Sequence, residues 1–185
     1  MRIIAGKFKN RRLLTQKEKE EGFRPTTSKV REAAINILIS MFGGPDLEGL
    51  TVADICCGSG AFGFECLSRE AKSVVFVDNS LKRIQLLEKN LETLQVGYEQ
   101  FRLIRADIST LPKMQPVDIA YIDPPYHRGM AGIALKKLLE QGWIKPQGIL
   151  IVEQAKRDAL PEIEELQILS ERLYGNTKLT FLRLE

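Results

Sequence analysis

The densest chemical signal in this sequence is Ile119-Ala120-Tyr121-Ile122-Asp123-Pro124-Pro125-Tyr126, where an apolar strand runs into an acid, two prolines and an aromatic ring. Prolines restrict the backbone and contribute no N–H, so neighbouring carbonyls can point into a cleft. An amino group on a planar base is a poor nucleophile, because its lone pair is delocalised into the ring. Two acceptors on its hydrogens, the Asp123 carboxylate and the Pro124 carbonyl, favour a tetrahedral nitrogen with its lone pair turned outward. Tyr126 is placed to stack on the ring and hold it. The alternative is a rigid Pro-Pro turn followed by a surface tyrosine.

Upstream, Asp54-Ile55-Cys56-Cys57-Gly58-Ser59-Gly60-Ala61-Phe62-Gly63 joins a strand to a helix. Gly58 and Gly60 permit a tight turn and let a ligand approach the backbone. The spacing Gly58-x-Gly60-x-x-Gly63, with Asp78 ending the next strand, also satisfies the dinucleotide fingerprint, so a nicotinamide enzyme competes. Asp54 tilts the choice, since a pyrophosphate on this loop would lie near like charge. S-adenosyl-L-methionine carries no phosphate and presents an ammonium, a sulfonium and a ribose, all compatible with carboxylates. Asp78 is placed to accept from the ribose hydroxyls, and Asp107, after the following strand, from the adenine amino group. One strand-end Asp is an ordinary helix cap; three at successive strand ends are a pattern.

The elements that must carry these loops alternate. Apolar strand cores lie at Thr51–Ile55, Ser73–Val77, Phe101–Arg105, Val117–Ile122 and Gly148–Val152, with helical patterns at Ala61–Ser68, Ser80–Leu94 and Met130–Gln141. Such alternation indicates a parallel sheet covered on both faces. Leu166–Tyr174 and Lys178–Leu184 flank Gly175-Asn176-Thr177, a connection so short that it forces a hairpin and one antiparallel strand. Nearer the start, Arg2–Ala5 and Arg12–Thr15 read as a small hairpin around residues 6–10. A helix follows Arg24-Pro25-Thr26-Thr27-Ser28, with Val30, Ala33, Ala34, Ile37, Leu38 and Met41 recurring at helical spacing.

A chain of 185 residues with 44% hydrophobic and 28% charged content fits one globular domain. It contains no apolar run of membrane-spanning length and no secretory h-region. Three cysteines without a CxxC pair favour a reducing cytosol, and a single histidine argues against a His-rich metal site; no metal is expected. The net charge of +3 conceals a division. Residues 1–31 hold ten Lys and Arg against three Glu, leaving the rest at −4. A basic arm on a mildly acidic body suggests a polyanionic partner, nucleic acid first. Cys56-Cys57 reads as small packing beside the glycines, and Trp143 as a helix-end anchor. His127 touches RNA or is an exposed loop residue, and Glu153-Gln154 borders the cleft or caps the sheet.

With these segments in hand, the chain resembles class I S-adenosylmethionine-dependent methyltransferases, and more narrowly the bacterial family that methylates guanine N2 in small-subunit (16S) rRNA. The opening Met1-Arg2-Ile3-Ile4-Ala5-Gly6, the Arg24-Pro25-Thr26-Thr27 and Val30-Arg31-Glu32-Ala33 segments and the closing Tyr174-Gly175-Asn176-Thr177 carry the narrower likeness. The glycine loop and Asp123-Pro124-Pro125-Tyr126 are shared by many amino-methyltransferases. Cys56-Cys57 departs from the family, where Phe-Ala or similar is commoner.

The resemblance implies an α/β, Rossmann-like fold: a seven-stranded, mostly parallel sheet with one antiparallel strand, plus an N-terminal β-hairpin arm. Residues 1–23 would form the arm and 24–185 the methyltransferase domain. Asp123, Pro124 and Tyr126 would be catalytic, and Asp54, Gly58, Gly60, Asp78 and Asp107 would hold S-adenosyl-L-methionine, leaving S-adenosyl-L-homocysteine as product. Lys7, Lys9, Arg11, Arg12 and Arg24 would grip RNA, with the guanine flipped toward Tyr126. The expected partner is 16S rRNA in an assembled or partly assembled small subunit, acted on in the cytoplasm by a monomer. Alternatives are a DNA adenine-N6 or cytosine-N4 methyltransferase, or a non-catalytic RNA-binding assembly factor.

Overall fold

Side chains along the central strands alternate between two apolar layers, as a sheet covered on both faces requires. The computed structural model describes residues 1–15, 28–124 and 129–185. In chain order its elements are α1 (Ser28–Phe42), β1 (Thr51–Ile55), α2 (Ala61–Ser68), β2 (Ser73–Asp78), α3 (Leu81–Thr93) and β3 (Phe101–Arg105). There follow β4 (Val117–Ile122), α4 (Met130–Glu140), β5 (Ile144–Ala155), β6 (Leu166–Tyr174) and β7 (Thr177–Leu184). The strands form one sheet in the order β3-β2-β1-β4-β5-β7-β6. Only β7 is reversed, antiparallel to both β5 and β6.

Val52, Val74, Phe76, Ile119, Tyr121, Ile149 and Ile151 face α1, α2 and α3. Their neighbours Ala53, Val75, Val77, Ala120, Ile122, Leu150 and Val152 face α4. Close approach of α2 to the sheet depends on Gly63, where a Cβ would lie 2.3 Å from the Phe76 ring. No helix among the described residues is long and apolar enough to cross a membrane.

The expected elements form with small shifts. β5 starts earlier than the apolar core at Gly148, taking in Lys145-Pro146-Gln147. Gln147 has φ 63°, and the β4–β5 register shifts between Val117 and Ile119, so this stretch is an irregularity. An irregular position is where a strand tolerates Pro. On α1 the buried set is Val30, Arg31, Ala34, Ile35 and Leu38, so Ala33, Ile37 and Met41 are only part-buried.

The N-terminal hairpin forms through an Arg2–Arg12 bridge, with Ile3 N–H donating to the Arg11 carbonyl at 3.1 Å and Leu13 N–H to the Met1 carbonyl at 3.0 Å. Rather than projecting, it lies against the body. Ile3 and Leu13 are buried in the α1–α3 layer. Lys7 N–H donates to the Ser68 carbonyl at 2.8 Å, and Phe8 N–H to Ser68 Oγ at 3.0 Å. The segment 16–27, with Arg24 and the expected Thr26-Thr27 caps, lies outside the described residues.

Candidate active site

β1 sits between β2 and β4, so the connections leaving β1 and β4 diverge at the carboxyl edge of the sheet. A crevice at that switch point is where open α/β sheets bind ligands. Asp54, Asp78, Asp123 and Glu153 fall in phase with the α1–α3 layer, near the carboxyl ends of four adjacent strands.

The loop after β1 is built on left-handed backbone at Cys56 (φ 58°), Gly58 (φ 54°) and Gly60 (φ 71°). Glycine adopts this readily, whereas a Cys there costs about 1 kcal/mol or more. Cys57 N–H donates to the Val77 carbonyl at 2.9 Å and Gly60 N–H to the Cys57 carbonyl at 2.7 Å, closing the turn. Asp54, 2% exposed, accepts Gly63 N–H at 2.9 Å. Asp78, 3% exposed, accepts Gly58 N–H at 2.9 Å on Oδ2 and Ser80 N–H at 2.9 Å on Oδ1, with Arg83 at 3.5 Å.

These contacts bear on the two ligands weighed for the loop. A pyrophosphate on the loop would meet the Asp78 carboxylate that accepts Gly58 N–H. A cationic, phosphate-free ligand is compatible with that carboxylate, so the residues present fit S-adenosyl-L-methionine. Each carboxylate has about four lone-pair directions, so Asp78 can accept ribose hydroxyls beside its internal bonds.

Asp107 is exposed and caps the turn at Ile108–Thr110, accepting from Ser109 N–H at 2.9 Å and Ser109 Oγ at 2.6 Å. The Ser109 hydroxyl bond holds its carboxyl below the usual range. Burial pushes the Asp54 carboxyl up to about 8, with the Asp78 charge adding to it. Cys56 lies in the joint field of Asp78, Asp123, Asp54 and Asp107, and burial first, then those charges, push its thiol up to about 12. It therefore stays protonated, and the same holds for buried Cys57. Thiols held this high supply no thiolate near neutral pH, in keeping with small packing beside the glycines.

On the β4 side, Asp123 is half-buried and its N–H donates to the Ile55 carbonyl at 3.2 Å, while Pro124 is buried. Pro125, Tyr126 and His127 lie outside the described residues. Lys7, Lys9, Arg11 and Arg12 are exposed on the hairpin, Lys7 near Glu70 at 3.8 Å and Arg11 donating to the Thr93 carbonyl at 3.2 Å. Trp143 is fully buried after α4, its Nε1 donating to the Pro112 carbonyl at 2.7 Å, and so is an anchor as expected.

Sequence reasoning missed two groups. Tyr121 stacks on Phe62 (centroids 4.0 Å apart, planes 8° apart) and donates its hydroxyl to Glu153, tying β4 to both α2 and β5. Arg31, counted among the cations of the basic arm, is 2% exposed and faces Glu65 across 3.6 Å. Glu65 is the only charged residue in the otherwise apolar stretch Ala61–Ser68, a signal that could have marked a buried ion pair.

The family model described as "Conserved hypothetical protein 95" matches residues 1–183. Ribosomal RNA small subunit methyltransferase D of Haemophilus influenzae is 36% identical over 179 residues, covering 95% of this chain and 89% of the relative. The protein of that name from Escherichia coli K12 is 32% identical over 163 residues, covering 88% and 79%. A solved putative methyltransferase from Escherichia coli superposes with TM-score 0.84 at 28% identity, over 100% of this chain and 98% of that one. A putative methylase from Haemophilus influenzae gives 0.82 at 32%, with the same coverage. The fold is thus the Rossmann-like class I methyltransferase fold. With near-complete coverage, the chain belongs to the Conserved hypothetical protein 95 family.

Proposed function

We propose that this protein transfers a methyl group from S-adenosyl-L-methionine to the exocyclic N2 of a guanine in 16S rRNA of the small ribosomal subunit. The observation that carries the reading is the Asp123 N–H bond to the Ile55 carbonyl, which sets the Asp123-Pro124 motif beside the start of the glycine loop. The names of the relatives, ribosomal RNA small subunit methyltransferases, support an rRNA substrate.

The donor supplies an electrophilic methyl on a sulfonium. Asp54 and the loop hold its charged end, Asp78 its ribose and Asp107 its adenine. The Asp123 carboxylate and Pro124 carbonyl accept the hydrogens of guanine N2, and Tyr126 stacks on the base. As the N–C bond forms the S–C bond breaks, and the surplus proton passes to Asp123 or to water. Positioning of this kind supplies roughly 7–11 kcal/mol of the acceleration. In this reading selectivity comes from the shape of a folded ribosomal particle.

Labelled donor should modify small subunits from cells lacking the protein. Equal labelling of random duplex DNA with no rRNA product would overturn the reading. Asp54 provides a second check. With its carboxyl near 8, the free protein holds that proton at pH 7, and an arriving cation expels it. Calorimetry in buffers of different ionisation heat should find nearly one proton released by wild type and none by Asp54→Asn. Because the folded carboxyl is raised from 3.8, its contribution to stability is full in acid and fades as pH climbs toward 8, relative to Asp54→Asn.

Replacing Arg11 and Arg12 by Ala should weaken subunit binding and flatten its salt dependence. The log–log slope should fall by about 0.7 for each phosphate no longer neutralised. An unchanged slope removes these residues from the interface.

A further inference from the structure

The hairpin that carries Lys7, Lys9, Arg11 and Arg12 is held by an ion pair that apolar packing alone does not explain. Arg31 of α1 and Glu65 of α2 are 2% and 1% exposed. Arg31 Nη2 donates to the Arg2 carbonyl at 3.4 Å, and its Nη1 reaches Met1 Sδ at 3.8 Å. Glu65 Oε1 accepts Ile4 N–H at 2.6 Å. The two ions thus take the outer edge of the first hairpin strand, the edge opposite its pairing with the second, one by a carbonyl and one by an amide.

A buried ion pair adds little net stability over apolar residues of similar size, because desolvation offsets the attraction. Its distinctive effect is to allow one arrangement and penalise others, since a slipped hairpin would leave a charge buried and unpaired. Three further features point to one seating. A Cβ on Gly6 would lie 1.8 Å from the Ser68 carbonyl. Ser68 Oγ donates to the Ala5 carbonyl. At the tip of the first strand, Ser59 Oγ of the glycine loop lies 3.8 Å from Met1 Sδ. Helix α2 therefore meets the glycine loop at one end and the hairpin at the other.

We propose that Arg31 and Glu65 are positioning residues that seat the RNA-gripping hairpin in fixed register against the donor loop. This rests on the reading of the hairpin as an RNA-binding element. The pair touches neither donor nor base, and it sets where the four exposed cations stand relative to the crevice.

The test separates seating from stability by comparing Arg31→Met with the double variant Arg31→Met/Glu65→Leu. The single change strands the Glu65 charge and should lower the melting temperature. The double change removes both charges and should return it close to wild type. Seating should not return. Trypsin should cut within residues 1–15 of the double variant about tenfold faster than in wild type, and small-subunit affinity should fall about tenfold, the scale of losing one charge-assisted hydrogen bond. Donor affinity by calorimetry should change less than subunit affinity, because Arg31 acts on Asp54 only through its field. A double variant with restored melting temperature, wild-type protection from trypsin and wild-type subunit affinity would overturn the proposal. If the double variant does not fold, Glu65→Gln decides: faster cleavage supports the seat and unchanged cleavage refutes it. If wild type itself binds no subunits, the RNA reading fails, while the trypsin comparison still judges the seat.

Discussion

Asp123→Ala should lower the single-turnover rate of methyl transfer by about 10²–10⁴-fold, the range for losing one positioned acid–base or charge-stabilising group. Donor affinity should change by no more than about threefold, since Asp123 is assigned to the base and not to the sulfonium. The fold should survive, because the Asp123 bond to the Ile55 carbonyl is made by its backbone N–H, which any residue but proline retains. Asp123→Asn keeps one acceptor oxygen and should fall between wild type and Ala. Rapid-quench transfer with labelled donor, paired with calorimetry, separates rate from binding. A variant that loses donor affinity in proportion to rate would move Asp123 to the donor side.

Asp78→Ala should produce the reverse pattern, with donor affinity reduced by at least about 10²-fold. Two effects combine. The proposed ribose acceptor is removed, and hydrogen bonds to a charged group are worth roughly 1.5–3 kcal/mol each. In addition, Gly58 N–H and Ser80 N–H lose their shared partner, loosening both the glycine loop and the start of α3. Once donor is saturating, transfer by Asp78→Ala should recover toward wild type, whereas Asp123→Ala should stay slow. Calorimetry and saturation kinetics check both. Equal donor affinity for Asp78→Ala and wild type would remove Asp78 from the site.

Much of the scaffold was legible because its signals are local. The strands β1, β3 and β4 have the residue limits their apolar runs suggest, and the short Gly175-Asn176-Thr177 connection left β6 and β7 no choice but a hairpin. The start of β5 was not legible, since Pro146 reads as a strand breaker and only the register shift against β4 accommodates it.

In the candidate site, the spacing of Asp54, Gly58, Gly60 and Asp78 announced a ligand loop, and the repeated strand-end acids tilted it toward S-adenosyl-L-methionine over a dinucleotide. What spacing cannot show is tertiary: carboxylates from two strands accept the N–H groups of Gly58 and Gly63. Likewise a cation count cannot distinguish exposed Arg11 and Arg12 from Arg31, whose charge is spent on Glu65 thirty-four positions away. The Tyr121 hydroxyl bond to Glu153 is another pairing between distant segments, invisible to periodicity. The strained Cys56 is hidden for a different reason: nothing in its residue type favours φ 58°.

The most direct test of the whole account is the chemical identity of the product. Small subunits lacking the modification would be incubated with isotopically labelled S-adenosyl-L-methionine and the protein, then digested to nucleosides for mass spectrometry. The label should appear in N2-methylguanosine from 16S rRNA and vanish with Asp123→Ala. Label in N6-methyladenosine, N4-methylcytosine or a ribose-methylated nucleoside instead would contradict it.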